Sequence, residues 1–245
     1  MQMIERLKRH IGRRRRNARR APNPRWGVDF LSEIRTRTPI EPMTILDVGA
    51  NIGLSSLEYQ DRFPNAEIHA FEPSPQNFHR MDEVLAGAPG IRRHNCAVGA
   101  APGEVMFRHN PYHPTMSRIG EGEGEEIAVP ITSLDAFCER NRIDSVDILK
   151  IDTEGYEIEV LAGAEQLMSE QRIALIQLEC GLNPDYSNHH IQIERLLAHM
   201  FQRGYRLFGL YEQWEWTLDP SPALARADAV FISSAAIAES RRSAG

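Results

Sequence analysis

Residues 44–53 read Thr-Ile-Leu-Asp-Val-Gly-Ala-Asn-Ile-Gly, and residues 68–73 read Ile-His-Ala-Phe-Glu-Pro. In the first stretch an apolar strand leads into Asp47, a glycine turn follows, and a helical segment starts near Leu54. In the second stretch another apolar strand ends at Glu72, whose carboxylate could accept hydrogen bonds from both hydroxyls of a ribose. Together the two stretches predict a βαβ nucleotide-binding unit with a carboxylate at the end of its second strand.

The glycine turn distinguishes between two nucleotide ligands. A dinucleotide fingerprint has three glycines in a G-x-G-x-x-G run, whereas here Asn51 stands at the middle position and Leu54 at the third. Gly49 and Gly53 let the backbone approach a ligand where a Cβ would clash. Asp47 would sit badly beside a pyrophosphate, but it suits a cationic ligand end such as the amino acid portion of S-adenosylmethionine. The turn therefore favours S-adenosylmethionine over NAD, with a turn that binds no ligand as the third interpretation.

Length and composition suit one enzyme domain. The chain has 245 residues, of which 42% are hydrophobic, and a formal net charge of −6. We expect a single α/β domain at 26–245, and no run of about eighteen apolar residues could span a membrane. Cys96, Cys138 and Cys180 are odd in number and form no C-x-x-C pair, which favours a reducing compartment. Because no apolar signal-peptide core is present either, the sequence predicts a cytoplasmic protein.

Residues 1–25 form a strongly basic arm. They contain ten Lys or Arg residues and one acid, so the arm carries +9 and leaves −15 for the remaining residues. A solvated arm and a peripheral contact with a membrane or a partner both stay open. Nucleic acid is not an expected partner, because the acidic body would repel phosphates around any contact of the arm.

Alternating strand and helix patterns after the arm predict a mainly parallel sheet with helices on both faces. The predicted strands of this sheet are 43–48, 66–71, 91–96, 146–151, 173–178, 205–211 and 227–233. The predicted helices are 26–40, 54–62, 76–86, 132–141, 156–169 and 190–203. After the third strand, 104–108 and 127–131 are typical of a hairpin insertion. We expect the long loop between them, 109–126, to be mobile and to close over the binding site.

Polar residues stand where the predicted parallel strands end. Ligands of such sheets bind beyond the carboxyl ends of the strands. Five residues occupy those ends: Asp47, Glu72, Asn95, Asp152 and Glu179. The sequence therefore predicts that the binding site lies at this edge of the sheet.

Lys150 interrupts the otherwise apolar strand at 146–151. Central parallel strands are buried on both faces, and an unpaired buried ammonium would cost several kcal/mol. Side chains two residues apart share a face of the strand, so Lys150 could reach the carboxylate of Asp152 or that of Glu154. Two interpretations stay open: a structural ion pair at the strand end, or a pair that lines an acceptor site.

Taken in order, these segments resemble the FkbM family of S-adenosylmethionine-dependent methyltransferases. The resemblance covers about residues 43–180, and its Lys-Ile-Asp-x-Glu-Gly piece is the most discriminating. The matching pieces are Asp47-Val48-Gly49-Ala50-Asn51-Ile52-Gly53, Phe71-Glu72-Pro73, Asn95-Cys96-Ala97-Val98-Gly99, Ser133-Leu134-Asp135, Leu149-Lys150-Ile151-Asp152-Thr153-Glu154-Gly155 with Glu157, Val160-Leu161, Gly163 and Gln177-Leu178-Glu179.

The resemblance implies a Rossmann-like class I methyltransferase fold, which is an α/β fold with a mainly parallel seven-stranded sheet and an antiparallel seventh strand. It implies O-methylation of a hydroxyl on a sugar or secondary metabolite, with S-adenosylmethionine as cofactor. It also implies roles for the cofactor-binding residues: Gly49, Asn51 and Gly53 at the methionine end, Glu72 at the ribose, and Asn95 and Ala97 against the adenine.

Methyl transfer to an alcohol needs a base within hydrogen-bond reach of the hydroxyl. The candidates are Asp152, Glu154, Glu179 and a histidine, namely His113, His189 or His190. Lys150 joins the three acids in the predicted catalytic set, and Asp152 belongs to the predicted cofactor set as well. Asp152 and Glu179 could instead hold Mg²⁺. Cys180, a poor magnesium ligand, stands where related enzymes place a further oxygen ligand, so a metal is possible but not favoured.

Aromatic residues near the C-terminus could contribute to the acceptor site. Trp214, Trp216 and Tyr211 suit either stacking on a sugar face or packing in the core. The expected partner is a small-molecule acceptor with a hydroxyl group, and the oligomeric state stays open. Two other functions compete with methyl transfer, an NAD-dependent oxidoreductase and a catalytically inactive cofactor-binding module.

Overall fold

The computed structural model describes residues 27–109, 118–119, 124–185, 190–215 and 223–243, so the basic arm lies outside the described residues. The strands are β1 (Thr44–Val48), β2 (Glu67–Phe71), β3 (Ile91–His94), β4 (Ala97–Val98), β5 (Gly103–His109), β6 (Arg118–Ile119), β7 (Glu125–Thr132), β8 (Val146–Ile151), β9 (Ile173–Gly181), β10 (Tyr205–Glu215) and β11 (Leu224–Ser233). The helices are α1 (Phe30–Arg37), α2 (Leu54–Arg62), α3 (Pro75–Val84), α4 (Leu134–Asn141), α5 (Glu157–Ala162), α6 (Glu165–Ser169), α7 (Ile193–Gln202) and α8 (Ser234–Ser243).

Seven strands form the central sheet, in the order β3-β2-β1-β8-β9-β11-β10. Strand β11 is antiparallel to both of its neighbours, β9 and β10. The other pairs in this sheet are parallel. The predicted mainly parallel sheet with an antiparallel seventh strand is therefore confirmed. The strand order runs outward from β1 to β3 and resumes with β8 on the other side of β1. The carboxyl ends of β1 and β8 therefore border the kind of crevice in which ligands of open α/β sheets bind.

Side chains that alternate along the central strands pack into two separate cores, one on each face of the sheet. Ile45 and Ile148 pack in the layer that α1, α2, α3 and α8 cover, whereas Leu46 and Leu149 pack in the layer under α4 to α7. On the face of Ile45 the side chains change from apolar to polar towards the carboxyl ends. Burial of the apolar part stabilises the sheet by roughly 25 cal/mol per Å². The polar part lies at the carboxyl ends, where the binding site is expected.

The insertion after β3 forms more than the predicted hairpin. Strands β4, β7, β5 and β6 make a second, four-stranded sheet in that order. Within the predicted loop 109–126, His109 ends β5, β6 pairs with β5, and β7 begins at Glu125, so the loop prediction is wrong for those residues. Residues 110–117 and 120–123 lie outside the described residues, and closure over the binding site stays a prediction.

Three helix predictions need correction. Helix α1 is shorter than 26–40 because Asp29 caps it, accepting a hydrogen bond from the backbone of Ser32. The predicted helix 156–169 is divided into α5 and α6 at Gly163, where a Cβ would lie 2.0 Å from the carbonyl oxygen of Gly99. Helix α8 was missing from the prediction, since its small and charged residues show little helical periodicity.

Two stacked histidines lie beside the strand ends. His69 Nδ1 and His94 Nε2 are 3.1 Å apart, and the ring of His94 stacks on that of Phe71 at 4.8 Å between centroids. Burial lowers the pKa of His94 to about 4, with neighbouring positive charge acting in the same direction, and burial also lowers the pKa of His69. Both rings are therefore neutral in the folded protein at neutral pH.

We expect His94 to make the folded protein sensitive to acid. An unfolded histidine has a pKa near 6.5, so the unfolded chain takes up the proton first as the pH falls. The stabilising contribution of neutral His94 is present above about pH 6.5 and is lost between there and about pH 4. Discounted for partial exposure, the loss should be about 1–2 kcal/mol.

Urea unfolding of the wild type and His94→Phe at about pH 7.5 and about pH 5 measures this loss. The free energy of unfolding should fall more in the wild type than in His94→Phe. His79→Gln, at a well-exposed histidine of α3, is the matched control and should fall as the wild type does. Equal losses in all three proteins would exclude His94 as the source.

Candidate functional site

A cavity opens beyond the carboxyl ends of β1, β2 and β8. Apolar side chains of the inserted sheet, Phe107 and Ile119, contribute to its wall. Six of the predicted site residues line it: Gly49, Asn51, Glu72, Ala97, Asp152 and Glu154. A carboxylate beside an apolar wall suits a nucleoside, which combines a flat base with hydroxyl donors.

The turn after β1 brings two loops into contact. Gly49 has a φ of 81°, and a Cβ there would lie 1.8 Å from the carbonyl oxygen of Asp152. Glycine at 49 is therefore required by the neighbouring loop as well as by any ligand. Asn51 has a φ of 51°, and its backbone N–H donates to Glu72 Oε2 at 2.9 Å. The turn thus fixes the carboxylate that faces the cavity.

Glu72 is held by backbone donors on both sides. Its second oxygen, Oε1, accepts a hydrogen bond from the backbone N–H of Ser74 at 2.8 Å. Burial raises the pKa of Glu72 to about 7, against the opposing effect of these hydrogen bonds. The side chain of Asn77 also hydrogen-bonds to this carboxylate, so three of its roughly four acceptor sites are used and a ribose hydroxyl would take the remaining one or displace Asn77.

Gly53 and Asn95 are not among the residues that line the cavity, and their contacts with the cofactor stay predictions. Gly53 begins α2 with a φ of 82°, and a Cβ there would meet the side chain of Leu85 at 2.8 Å. The amide of Asn95 donates to the carbonyl oxygens of Glu72 and Pro73, at 2.8 and 3.2 Å. Asn95 thus supports the backbone that carries Glu72.

Asp47 is fully buried, which corrects the prediction that it meets the cationic end of the cofactor. Its Oδ2 accepts a hydrogen bond from Ser56 Oγ at 2.6 Å. Its Oδ1 lies 3.6 Å from Lys150 Nζ. Because the carboxylate has no exposed surface, its partner is the lysine and not a ligand.

Lys150 joins this buried carboxylate to the cavity. Its ammonium donates to Asp152 Oδ2 at 3.0 Å, which confirms the predicted pairing. Burial alone would lower the pKa of Lys150, but the carboxylates of Asp152 and Asp47 offset this and raise its pKa above the ordinary value. The side chain of Asp152 is 45% exposed, so Asp152 is the member of the trio that can meet a ligand.

Glu157 shapes the loop after Asp152, although it was not among the predicted site residues. Its Oε1 accepts hydrogen bonds from the backbone and hydroxyl of Thr153 and from the backbone of Gly155, all within 3.3 Å. These bonds hold Glu154 at a φ of 55°, where it lines the cavity. A glutamate at the first position of a helix, facing free backbone N–H groups, is the sequence signal for this role.

Glu179 belongs to a second polar cluster outside the cavity. The pairing of β8 with β9 places it at the height of Asp152 on the neighbouring strand. Its carboxylate forms an ion pair with Arg226, and His190 Nδ1 lies 3.4 Å from its Oε2. The Arg226 guanidinium lies 4.7 Å from the ring centroid of Trp214, a side chain that is 51% exposed.

Asp228 of β11 extends the polar face and was not predicted. It stands opposite Glu179 in the strand pairing, and its Oδ2 accepts a hydrogen bond from Gln177 Nε2 at 2.7 Å. Tyr59 of α2 donates to the same glutamine at 2.9 Å. Burial raises the pKa of Asp228. No sequence motif marks Asp228, because only the strand pairing brings it beside Glu179.

Of the remaining aromatic and histidine candidates, only Tyr211 lies among the described residues. Tyr211 is buried and its hydroxyl donates to Glu33 Oε2 at 2.8 Å, so it packs in the core and does not stack on a ligand. Trp216, His113 and His189 lie outside the described residues.

Neither a metal centre nor a membrane span is found in the parts of the chain that the structure describes. No group of three or more His, Cys, Asp or Glu residues there could hold a metal ion. Glu179, the predicted partner of Asp152 in a magnesium site, is paired with Arg226 instead. None of the described helices is long and apolar enough to cross a membrane.

The strand order, the antiparallel seventh strand and the cavity at the ends of β1 and β2 define a Rossmann-like class I methyltransferase fold. The methyltransferase FkbM domain matches residues 47–207. The chain therefore belongs to the FkbM methyltransferase family, as its motifs predict.

Three relatives illustrate the range of the family. The hexuronic acid methyltransferase AglP of Haloferax volcanii is 26% identical over 145 residues, 59% of this chain and 59% of that protein. The 2-O-methyltransferase NoeI of Sinorhizobium fredii is 24% identical, over 52% of this chain and 60% of its own. The 31-O-demethyl-FK506 methyltransferase FkbM of Streptomyces tacrolimicus is 29% identical, over 49% and 59%. The chain thus spans about three-fifths of the length of these relatives.

Proposed function

We propose that this protein transfers the methyl group of S-adenosylmethionine to a hydroxyl of a sugar or secondary metabolite. The observation that carries the proposal is the Glu72 carboxylate, fixed by backbone donors at the mouth of the Gly49–Asn51 turn. It lies within the segment that matches the methyltransferase family. The names of the three relatives specify a hexuronic acid, a 2-O position and 31-O-demethyl-FK506, which supports a hydroxyl acceptor.

Glu72 and Ala97 would hold the nucleoside part of the cofactor, and Asn51 would lie at its methionine end. The Glu72 carboxylate would accept hydrogen bonds from the ribose, and the apolar wall around Ala97 would receive the adenine. When bound, the cofactor supplies an electrophilic methyl group on a sulfonium, so the protein mainly positions the reactants. Asp47 contributes indirectly, since it lies beneath the turn and fixes Lys150.

Asp152 is the residue we assign as general base. Its half-exposed carboxylate lines the cavity, and Lys150 orients it through one oxygen. The other Asp152 oxygen would be left to accept the proton of the acceptor hydroxyl, whose own oxygen is the nucleophile for the methyl group that the cofactor supplies. Glu154 lines the same cavity beside the reacting groups.

The acceptor would extend from Asp152 across the polar cluster on β9 and β11. Glu179 and Arg226 offer hydrogen-bond partners to sugar hydroxyls, and the exposed Trp214 ring offers an apolar face. Aromatic rings with flanking polar groups are typical of small-molecule sites. The free Cys96, Cys138 and Cys180 support the proposal of a reducing, cytoplasmic location.

Cofactor affinity should weaken below about pH 7. Only ionised Glu72 is a hydrogen-bond acceptor at both oxygens, and burial raises its pKa to about 7 in the free protein. As the pH falls below 7 the competent fraction shrinks, so the dissociation constant should rise up to about tenfold per pH unit. Calorimetric titration with S-adenosylmethionine between about pH 5.5 and 7 measures this, a range that lies above the ordinary pKa of the cofactor's carboxylate and below that of its amino group.

Glu72→Gln provides the matched test. It should bind the cofactor at least tenfold more weakly at about pH 8, the cost of hydrogen bonds to a charged group, and it should lose the pH dependence. Glu83→Gln, at an exposed glutamate of α3, should behave as the wild type. Cofactor affinity that is unchanged in Glu72→Gln would remove the central claim.

Methyl transfer itself is tested by screening hydroxylated acceptors. Deoxysugars, uronic acids and hydroxylated metabolites are incubated with methyl-tritiated cofactor, and products are read by mass spectrometry for one added methyl. A melting temperature that NAD raises and S-adenosylmethionine does not would favour the oxidoreductase. Cofactor binding without any methylated product across the screen would favour the inactive binding module.

A further inference from the structure

A buried histidine of the inserted sheet contacts the loop that carries Glu72. His109, the last residue of β5, is 4% exposed. Side chains two residues apart on a strand share a face, so His109 lies on the same face of β5 as Phe107, which lines the cofactor cavity. Its Nδ1 is 3.0 Å from Oγ of Ser74, between β2 and α3. His109 therefore joins the sheet inserted after β3 to the loop that follows β2.

The direction of this hydrogen bond follows from the other contact of the serine. Ser74 caps α3, and its Oγ accepts a hydrogen bond from the backbone N–H of Asn77 at 3.3 Å. Among the residues that the structure describes, Nδ1 of His109 is the only acceptor that contacts the Ser74 hydroxyl. Ser74 therefore donates to His109. When Nδ1 of a neutral imidazole accepts, the ring hydrogen lies on the other nitrogen, Nε2.

The second ring nitrogen of His109 contributes no hydrogen bond to the fold. Nε2 is buried, and in the described part of the chain it has no hydrogen-bond partner. A buried donor without an acceptor lowers stability, so an apolar ring of the same size would suit the packing of β5 better. What the histidine adds is the acceptor at Nδ1, and that acceptor binds Ser74.

Ser74 in turn holds the carboxylate that would bind the ribose. Its backbone N–H donates to Glu72 Oε1 at 2.8 Å. The hydroxyl of the same residue is fixed on one side by His109 and on the other by the first turn of α3. Because both polar groups of Ser74 are engaged, the contacts run without a gap from the inserted sheet through one serine to the carboxylate.

We propose that His109 is a positioning residue of the cofactor site and acts on Glu72 through Ser74. The same hydrogen bond holds β5, and with it the apolar wall at Phe107, against the carboxylate. The inserted sheet thereby contributes to cofactor affinity. The inference rests on the proposed function in one respect, namely that the ligand of this cavity is S-adenosylmethionine.

Calorimetric titration of the full chain with S-adenosylmethionine tests this role in two variants. His109→Phe keeps a ring of similar size but offers Ser74 no acceptor, so the cofactor should bind roughly fivefold more weakly, the effect of one neutral hydrogen bond. His109→Asn places an acceptor oxygen where Nδ1 lies and should bind within about twofold of the wild type. His79→Phe makes the same change at an exposed histidine of α3 and should bind as the wild type does.

A double-mutant cycle separates positioning from packing. Because His109 acts on Glu72, His109→Phe should have little further effect on affinity in a Glu72→Gln protein. The melting temperature of His109→Phe should change little, since one buried unpaired group, the Ser74 hydroxyl, replaces another, Nε2. A role in packing alone would instead lower the melting temperature of both His109 variants, and its effect on affinity would add fully to that of Glu72→Gln.

Three outcomes would overturn the positioning role alone. His109→Phe could bind the cofactor as tightly as the wild type, His109→Phe and His109→Asn could lose affinity equally, or the effects in the cycle could be additive. A wild type that binds S-adenosylmethionine and methylates no acceptor contradicts the proposed methyl transfer, while the cycle still tests His109. A wild type that does not bind S-adenosylmethionine contradicts both.

Discussion

Asp152→Asn is expected to lower the turnover number by about 10²–10⁴-fold, the usual effect of removing a general base. Asparagine keeps the shape of the side chain and can still accept a hydrogen bond from Lys150, but it cannot take the proton of the acceptor. Lys150 also retains Asp47 at 3.6 Å, so the protein should stay folded. The measurement is single-turnover methyl transfer from labelled cofactor, with cofactor affinity measured in parallel.

Controls separate the base from its neighbours. Asp144→Asn, at an exposed carboxylate before β8, should leave turnover unchanged. Adding a chelator to the wild type tests the magnesium alternative, since only a metal-dependent site would lose activity and recover it with Mg²⁺. A stable Asp152→Asn protein with near-normal turnover would disprove the assignment and direct attention to Glu154 and to Asp228.

Lys150→Met is expected to lower the free energy of unfolding by about 3–5 kcal/mol, because removing one partner of a buried ion pair strands the other. Asp47 would keep only the Ser56 hydroxyl as a partner, with its second oxygen buried. Methionine fits the volume of the lysine stem, so packing changes little. Urea unfolding near neutral pH measures the loss.

The Asp47→Asn/Lys150→Met double variant is the matching control. It removes both buried charges and should recover much of the stability lost in Lys150→Met. A double-mutant cycle with Asp47→Asn then gives the coupling energy of the pair. A Lys150→Met protein within about 1 kcal/mol of the wild type would show that the trio is not a stabilising unit.

The parts of the fold that depend on local patterns could be predicted from the sequence. Helix α2 and strand β8 have their predicted bounds, because a glycine start and an apolar run with flanking polar residues are local signals. The need for glycine at 163, between α5 and α6, could not be predicted, since the Gly99 carbonyl that excludes a side chain there is far away in the chain. The four-stranded insertion depends on long-range pairing for the same reason.

The site shows the same limit. Glu72 and the Lys150–Asp152 pair follow from strand-end position and from the rule that side chains two apart share a face. The burial of Asp47, by contrast, follows from the packing of α2 and the nearness of β8, neither of which a single strand reveals. Asp228 lies beside Glu179 only because β11 pairs antiparallel with β9.

The ammonium of Lys150 also sets where this protein could be divided and recombined. The half of the sheet from β1 to β3 would bind the cofactor, and the half from β9 to β11 would bind the acceptor, while β8 belongs to both. In a hybrid joined before Lys150, the lysine and Asp47 would come from different proteins and could fail to pair. In a hybrid joined before Glu157, the glutamate would come from a different protein than the loop with Glu154 that it holds. Exchange of acceptor-binding segments between relatives should therefore succeed only when the junction falls after α5.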